Sequence, residues 1–122
     1  MHRFIKKTLC GVPFLVSACG GDDSSGTPVP GVDCGSSSVP SFAEVSAFDV
    51  CVNCHNSGLS GPDRNGAPSS YNFDLYSSAS EHSEEIVKQV SSGFMPPASS
   101  GFSLTEAQKK QLYTWGECGA PE

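Results

Sequence analysis

Apolar side chains recur at helical spacing in three stretches of the chain, and nowhere do they alternate with the period of two expected of a half-buried strand. The first stretch holds Phe42, Val45, Phe48 and Val52. Ser41 ahead of it suits a helix cap, and Glu44 suits the first turn. The pattern predicts one helix from about Phe42 whose last turn carries Cys51 and Cys54. In the second stretch Ala79, Ile86, Val87 and Val90 form a buried side, and Glu81, Glu84, Glu85 and Lys88 a wet one. This predicts a helix from about Ser80, with Phe73, Leu75 and Tyr76 leading into it and Gly93 at its C′ position. The third stretch opens at Thr105-Glu106-Ala107-Gln108, the form of a capping box. Leu104, Ala107, Gln108, Gln111, Leu112 and Trp115 then share a face, and Gly116 or Gly119 ends the helix. The expectation is an all-α fold of three or more short helices with long loops.

The segments between and before these helices differ in kind. Residues 56–72 are dense in turn formers, and so long a loop in a small domain is expected to be functional or wrapped on a cofactor. Residues 20–40 are Gly, Ser, Pro, Asp and Thr with little that is apolar, which reads as a flexible linker. At the N-terminus Arg3, Lys6 and Lys7 precede an apolar run from Thr8 to Val16 that is too short to span a bilayer. The run ends at Leu15-Val16-Ser17-Ala18-Cys19, which resembles a bacterial lipobox. That resemblance implies cleavage before Cys19 and lipidation of Cys19; the alternative is an ordinary secreted protein with Cys19 incidental. The organisation is then a signal over 1–18, a membrane tether over 19–36 and a domain over 37–122. The location implied is the periplasm-facing side of a Gram-negative-type membrane, with Gly20 leaning toward the outer one.

Composition narrows the picture. The chain has 122 residues with 13 Gly and 9 Pro, so a small domain with much loop has little core of its own. An apolar cofactor bound in its middle would stabilise the folded state. From Cys19 onward four basic residues face thirteen acidic ones, a net charge of −9. This excludes nucleic acid or an anionic membrane surface as a partner and favours one with a basic docking face.

The chemistry centres on Cys51-Val52-Asn53-Cys54-His55, a C-x-x-C-H sequence. Two thiols three residues apart face one way and can add to the two vinyl groups of a haem, and the following His can ligate its iron. Zinc is a weaker reading, because adjacent Cys54 and His55 cannot easily join Cys51 around one tetrahedral ion and no second ligand pair follows. A redox dithiol would need βαβ patterning, which is absent from the sequence. The second axial ligand has two candidates in the mature chain, Met95 and His82. Met95 follows Gly93 and precedes Pro96-Pro97, so proline fixes its loop. His82 sits among Glu81, Glu84 and Glu85, the setting of a surface histidine. Met95 is the expected ligand.

Taken together, the haem motif, the Gly93-Phe94-Met95-Pro96-Pro97 loop and a C-terminal helix bearing Tyr113 and Trp115 resemble a monohaem class I cytochrome c over about residues 40–119. The resemblance implies a cytochrome c-like fold around one covalent haem c, with the first and last helices crossed so that Phe42 and Phe48 meet Leu112 or Trp115. It also implies a carbonyl in the loop after the motif that orients the imidazole, with Gly61-Pro62 the nearest equivalent. Of six Cys, Cys10 is lost with the signal, Cys19 is lipidated, and Cys51 and Cys54 hold haem, which leaves Cys34 and Cys118 for a disulfide. The implied function is that of an electron carrier between a donor and an acceptor protein, and not an enzyme. Alternatives are a haem-based small-ligand sensor with a labile Met95, a weak peroxidase, and an electron-wire subunit of a larger complex.

Overall fold

The rings of Phe42 and Phe48 meet with their centroids 4.9 Å apart. In one α-helix they would project about 120° apart, so the first predicted helix has to break. A computed structural model, which describes residues 29–35 and 38–122, shows where. Phe42–Glu44 form a single 3₁₀ turn, Val45 is extended (φ −80°, ψ 92°), and helix α1 runs only over Ala47–Cys51. Phe42, Val45 and Phe48 are spaced by three, which suits the tighter turn better than the α-helix that the same pattern predicts. Ser41 stands at the cap position, where its amide donates to Glu44 Oε2 at 2.7 Å. Cys54 lies beyond α1, in a turn closed by its amide and the Cys51 carbonyl.

The second predicted helix is also divided, and it starts earlier than expected. Helix α2 covers Tyr76–Glu81 and helix α3 Ser83–Ser91. His82, at φ −100° and ψ 15°, ends one and begins the other. The expected apolar side holds, since Ala79, Ile86, Val87 and Val90 are all buried, but Glu85, expected on the wet side, is half-buried. The end of α3 is a complete Schellman arrangement: the Phe94 amide donates to the Gln89 carbonyl, and the Gly93 amide to that of Val90. Gly93 has the positive φ, 83°, that this geometry needs.

Helix α4 spans Glu106–Glu117 and carries the expected capping box, with Thr105 Oγ1 accepting from the Gln108 amide and the Gln108 side chain accepting from the Thr105 amide. Gly116 lies inside it rather than ending it, and Gly119 (φ 95°) follows its end. Leu112 and Trp115 are fully buried, whereas Ala107, expected on the same face, is exposed. Helix α4 packs on both α3 and α1, so it is the central element.

Trp115 gathers the aromatic core. It meets Phe48 edge-on at 5.1 Å and Phe42 at 6.2 Å, contacts that add to area burial. Its indole Nε1 donates to the Pro121 carbonyl at 2.8 Å, and that carbonyl also accepts from the Phe42 amide. The chain end thus closes over the first turn, and Tyr76 secures it through a hydroxyl bond to the Ala120 carbonyl. Cys34 and Cys118 form the expected disulfide, with Cα atoms 5.4 Å apart and a sequence separation of 84. The Val29 amide donates to Glu117 Oε1, so the folded unit reaches back into residues expected as tether. The expected signal over 1–18 and the lipidation of Cys19 lie outside the described residues. All regular structure among the described residues is helical, and none of these helices is long and apolar enough to cross a membrane.

Candidate functional site

Four residues singled out in the sequence open on one cavity of about 640 Å³: Cys51, Cys54, His55 and Met95. This volume is in the range typical of small-molecule sites, about 300–1,000 Å³. Its apolar wall includes Val50, Phe73, Ile86, Val90 and Phe102. Glu85 and Gln89 add a polar strip from α3, with Gln89 Nε2 bonded to Glu85 Oε1.

Each site residue is placed by a local cause. Cys51 ends α1, and the turn after it returns the His55 amide to the Cys51 carbonyl at 2.9 Å, bringing both thiols and the imidazole to one side. The thiols are free, and Asn65 Nδ2 donates to Cys54 Sγ at 3.3 Å. Burial pushes the Cys51 thiol up to about 12, with Cys54 adding to the rise, so it stays protonated near neutral pH. Met95 is carried by the Schellman turn, its own amide also bonded to the Gln89 carbonyl, and the Met95–Pro96 peptide is cis. Met95 lines the cavity and as a whole residue is 36 % exposed.

His55 is held most closely. Its ring stacks on Phe73 at 4.5 Å, and its carbonyl accepts from the Phe73 amide. Its Nδ1 lies 3.2 Å from the Tyr71 carbonyl oxygen. A carbonyl only accepts, so Nδ1 bears the proton and Nε2 keeps a free lone pair. Burial holds the imidazole below the ordinary histidine range, and the Arg64 charge acts in the same direction against the Tyr71 carbonyl. The ring is therefore a neutral imidazole near neutral pH. The orienting carbonyl belongs to Tyr71 and not to Gly61-Pro62, which instead starts the 3₁₀ turn Gly61–Arg64.

His82, the rival ligand, does not line the cavity. Its ring stacks on Tyr71 at 4.1 Å and 13°. Among the described residues no group of three or more His, Cys, Asp and Glu side chains is placed to hold a metal ion.

The residue that sequence reasoning missed is Arg64. It is only 6 % exposed, and its guanidinium is wrapped by the loop over 56–72. One signal pointed to it: a loop that long has many carbonyls without partners, and Arg64 is its one long multi-donor side chain. Asp74, also missed, fastens the start of that loop by accepting from the amide and hydroxyl of Ser57.

The residues present fit a covalent haem. Two free thiols and an oriented imidazole come from one turn, a thioether from another, and both open on the same largely apolar space. No family model, curated protein or solved structure matches the chain.

Proposed function

We propose that this chain is an electron-transfer protein with a cytochrome c-like fold, carrying one haem c on Cys51 and Cys54 with His55 and Met95 as axial ligands. The observation that carries the reading is the convergence of those four side chains on one cavity, with His55 Nδ1 committed to Tyr71 and Nε2 left free.

When bound, the haem supplies reversible one-electron chemistry. The protein's part is attachment, orientation and exclusion of water. Cys51 and Cys54 would provide the two thioether links. Tyr71 and Phe73 keep the His55 ring from turning, which limits reorganisation when charge changes. Met95 would fill the remaining axial position and raise the potential relative to a nitrogen ligand. Val50, Ile86, Val90 and Phe102 keep the space largely apolar. His55 and Met95 would together leave no position on the iron for a substrate, which supports a carrier over a peroxidase. The acidic surface favours brief encounters with redox partners of basic docking face. The signal pattern and Cys19 support a lipid-anchored, periplasm-facing location.

The test is expression of the full-length chain in a bacterium that attaches haem in its periplasm. The expected result is haem that stays with the denatured chain and a weak sulfur-to-iron band in the oxidised spectrum. A chain that binds no haem sinks the proposal. Haem without the sulfur band, together with ready carbon monoxide binding by the reduced form, supports the sensor reading, which the partial exposure of Met95 makes the leading competitor.

A further inference from the structure

Resting on the haem reading above, we infer that Arg64 is a positioning residue that raises the reduction potential from behind His55, through its fixed charge and through the Tyr71 carbonyl it shares with the imidazole.

Arg64 is the one charged side chain buried among the described residues. All five of its N–H donors meet neutral oxygens. Nε donates to the Ala67 carbonyl at 3.1 Å. Nη1 donates to the Asn56 carbonyl at 2.6 Å and to Asn72 Oδ1 at 3.0 Å, with the Leu59 carbonyl farther off at 3.4 Å. Nη2 donates to the Pro68 carbonyl at 2.7 Å and the Tyr71 carbonyl at 3.1 Å. The one ion pair among the described residues is Lys109 with Glu106, so no carboxylate neutralises Arg64. Asp74, whose carboxyl feels the Arg64 charge, makes its hydrogen bonds to Ser57.

Burying a guanidinium without a counter-ion is costly. Tying the loop together accounts for the donors: Arg64 supplies the Ala67 and Leu59 carbonyls and Asn72 Oδ1, and adds a second bond at the Asn56, Pro68 and Tyr71 carbonyls, which also accept from the Leu59 amide, the Tyr71 amide and His55. It does not account for the unneutralised charge, because an added carboxylate would relieve that cost without removing a single bond. Nor is a donor left over for an anionic ligand, so Arg64 does not serve as an anion-binding site. What remains is its effect on the cavity that it lines beside His55.

Two effects run in the same direction. When a donor protein is oxidised and passes one electron to the iron, the buried centre loses one unit of positive charge. A fixed cation nearby disfavours the more positive, oxidised form. The Tyr71 oxygen also divides its acceptor capacity between His55 Nδ1 and Arg64 Nη2. A shared carbonyl pulls less on the Nδ1 proton, so the imidazole donates less to iron, and this again disfavours the oxidised form.

The test uses the full-length haem-loaded protein, with redox titration followed by absorbance, for wild type, Arg64→Met and Asn72→Asp. The Asn72→Asp change places a carboxylate against Nη1 where the amide oxygen now accepts at 3.0 Å, cancelling the charge while the arginine stays in place. Both variants are expected to lower the potential by about 59 mV, a tenfold shift of a one-electron equilibrium, the size one unit charge carries across about 12 Å at an effective dielectric near 20. A folded Asn72→Asp protein with the wild-type potential overturns the inference, whatever Arg64→Met does, because it leaves Arg64 a structural role only. If Arg64→Met does not fold, Asn72→Asp decides alone, since residue 72 is only half-buried. Absence of haem in the wild-type protein is a separate outcome: it is read from the absorbance of the purified protein and removes the proposed function together with this inference.

Discussion

Gly116 of α4 lies flush against Val87 of α3, so close that a Cβ at position 116 would enter the Val87 Cγ2 methyl. This contact sets how near the two helices approach. Val87 is buried and has little room to move. Gly116→Ala therefore sets a helix-propensity gain of about 1 kcal/mol against overpacking of about 1–3 kcal/mol. A net loss of stability is expected in the wild-type background. In a Val87→Ala background the same substitution is expected to stabilise. Urea midpoints of the four proteins check this, and a loss in both backgrounds contradicts it.

Met95 and His82 separate under mutation. If Met95 ligates iron, Met95→Ala removes the sulfur-to-iron band, lowers the potential and opens the reduced protein to carbon monoxide. His82→Ala leaves the spectrum and potential alone. It loses only the stack on Tyr71, with a stability cost of about 0.5–1.5 kcal/mol. A His82→Ala protein with an altered axial spectrum shows that the ligand assignment is wrong.

Asp74 gives the protein an acid-sensitive fastening. Slight burial raises its pKa, but the Ser57 hydroxyl and amide, with the Arg64 charge farther off, more than offset this and hold the carboxyl below its ordinary value of 3.8. A depressed folded pKa stabilises above the unfolded value, and the benefit is lost as pH falls through the folded one. The carboxylate is exposed, so the contribution is small. Unfolding midpoints from pH 7 down to pH 3 should fall more steeply in wild type than in Asp74→Asn, with the curves drawing together below about pH 4. Parallel curves count against the clamp.

Replacing Cys34 and Cys118 together by Ser should cost on the order of 4 kcal/mol in the chain-entropy account of so long a closed loop. Thermal unfolding of the oxidised wild type and the double variant measures it. The haem spectrum, if haem is present, should be unchanged below the melting transition, because neither cysteine lines the cavity.

The parts of this fold that were legible in the sequence are those with a local cause. Thr105 and Gln108 make their capping box and Gly93 takes the left-handed position after α3; the distant Cys34–Cys118 pair was legible only by counting cysteines. Cys51, Cys54, His55 and Met95 could be named because their spacing or neighbours are unusual. Both helix breaks were hidden because they serve tertiary contacts that the helical period does not encode. Val45 turns out of the helix so that Phe42 and Phe48 can both meet Trp115, and His82 marks the joint beside Tyr71. Arg64 was hidden for a different reason. All but one of its partners are main-chain carbonyls, which every residue possesses, so no side-chain pattern announces them. The Tyr71 carbonyl shares this invisibility, and the sequence reading accordingly placed the orienting oxygen at the wrong residues.

The route by which the chain enters its fold has a mechanical consequence. Cys34 is bonded to Cys118, and Val29 is held by Glu117. Tension applied to the chain ahead of Cys34 therefore passes first into the end of α4, the most deeply packed helix, and bypasses the stretch from Ser41 to His55. Under load the disulfide acts as a cleat: the covalent path to the segment that bears Cys51, Cys54 and His55 is bypassed, and a pull from the N-terminal side reaches that segment only through its packing on α4.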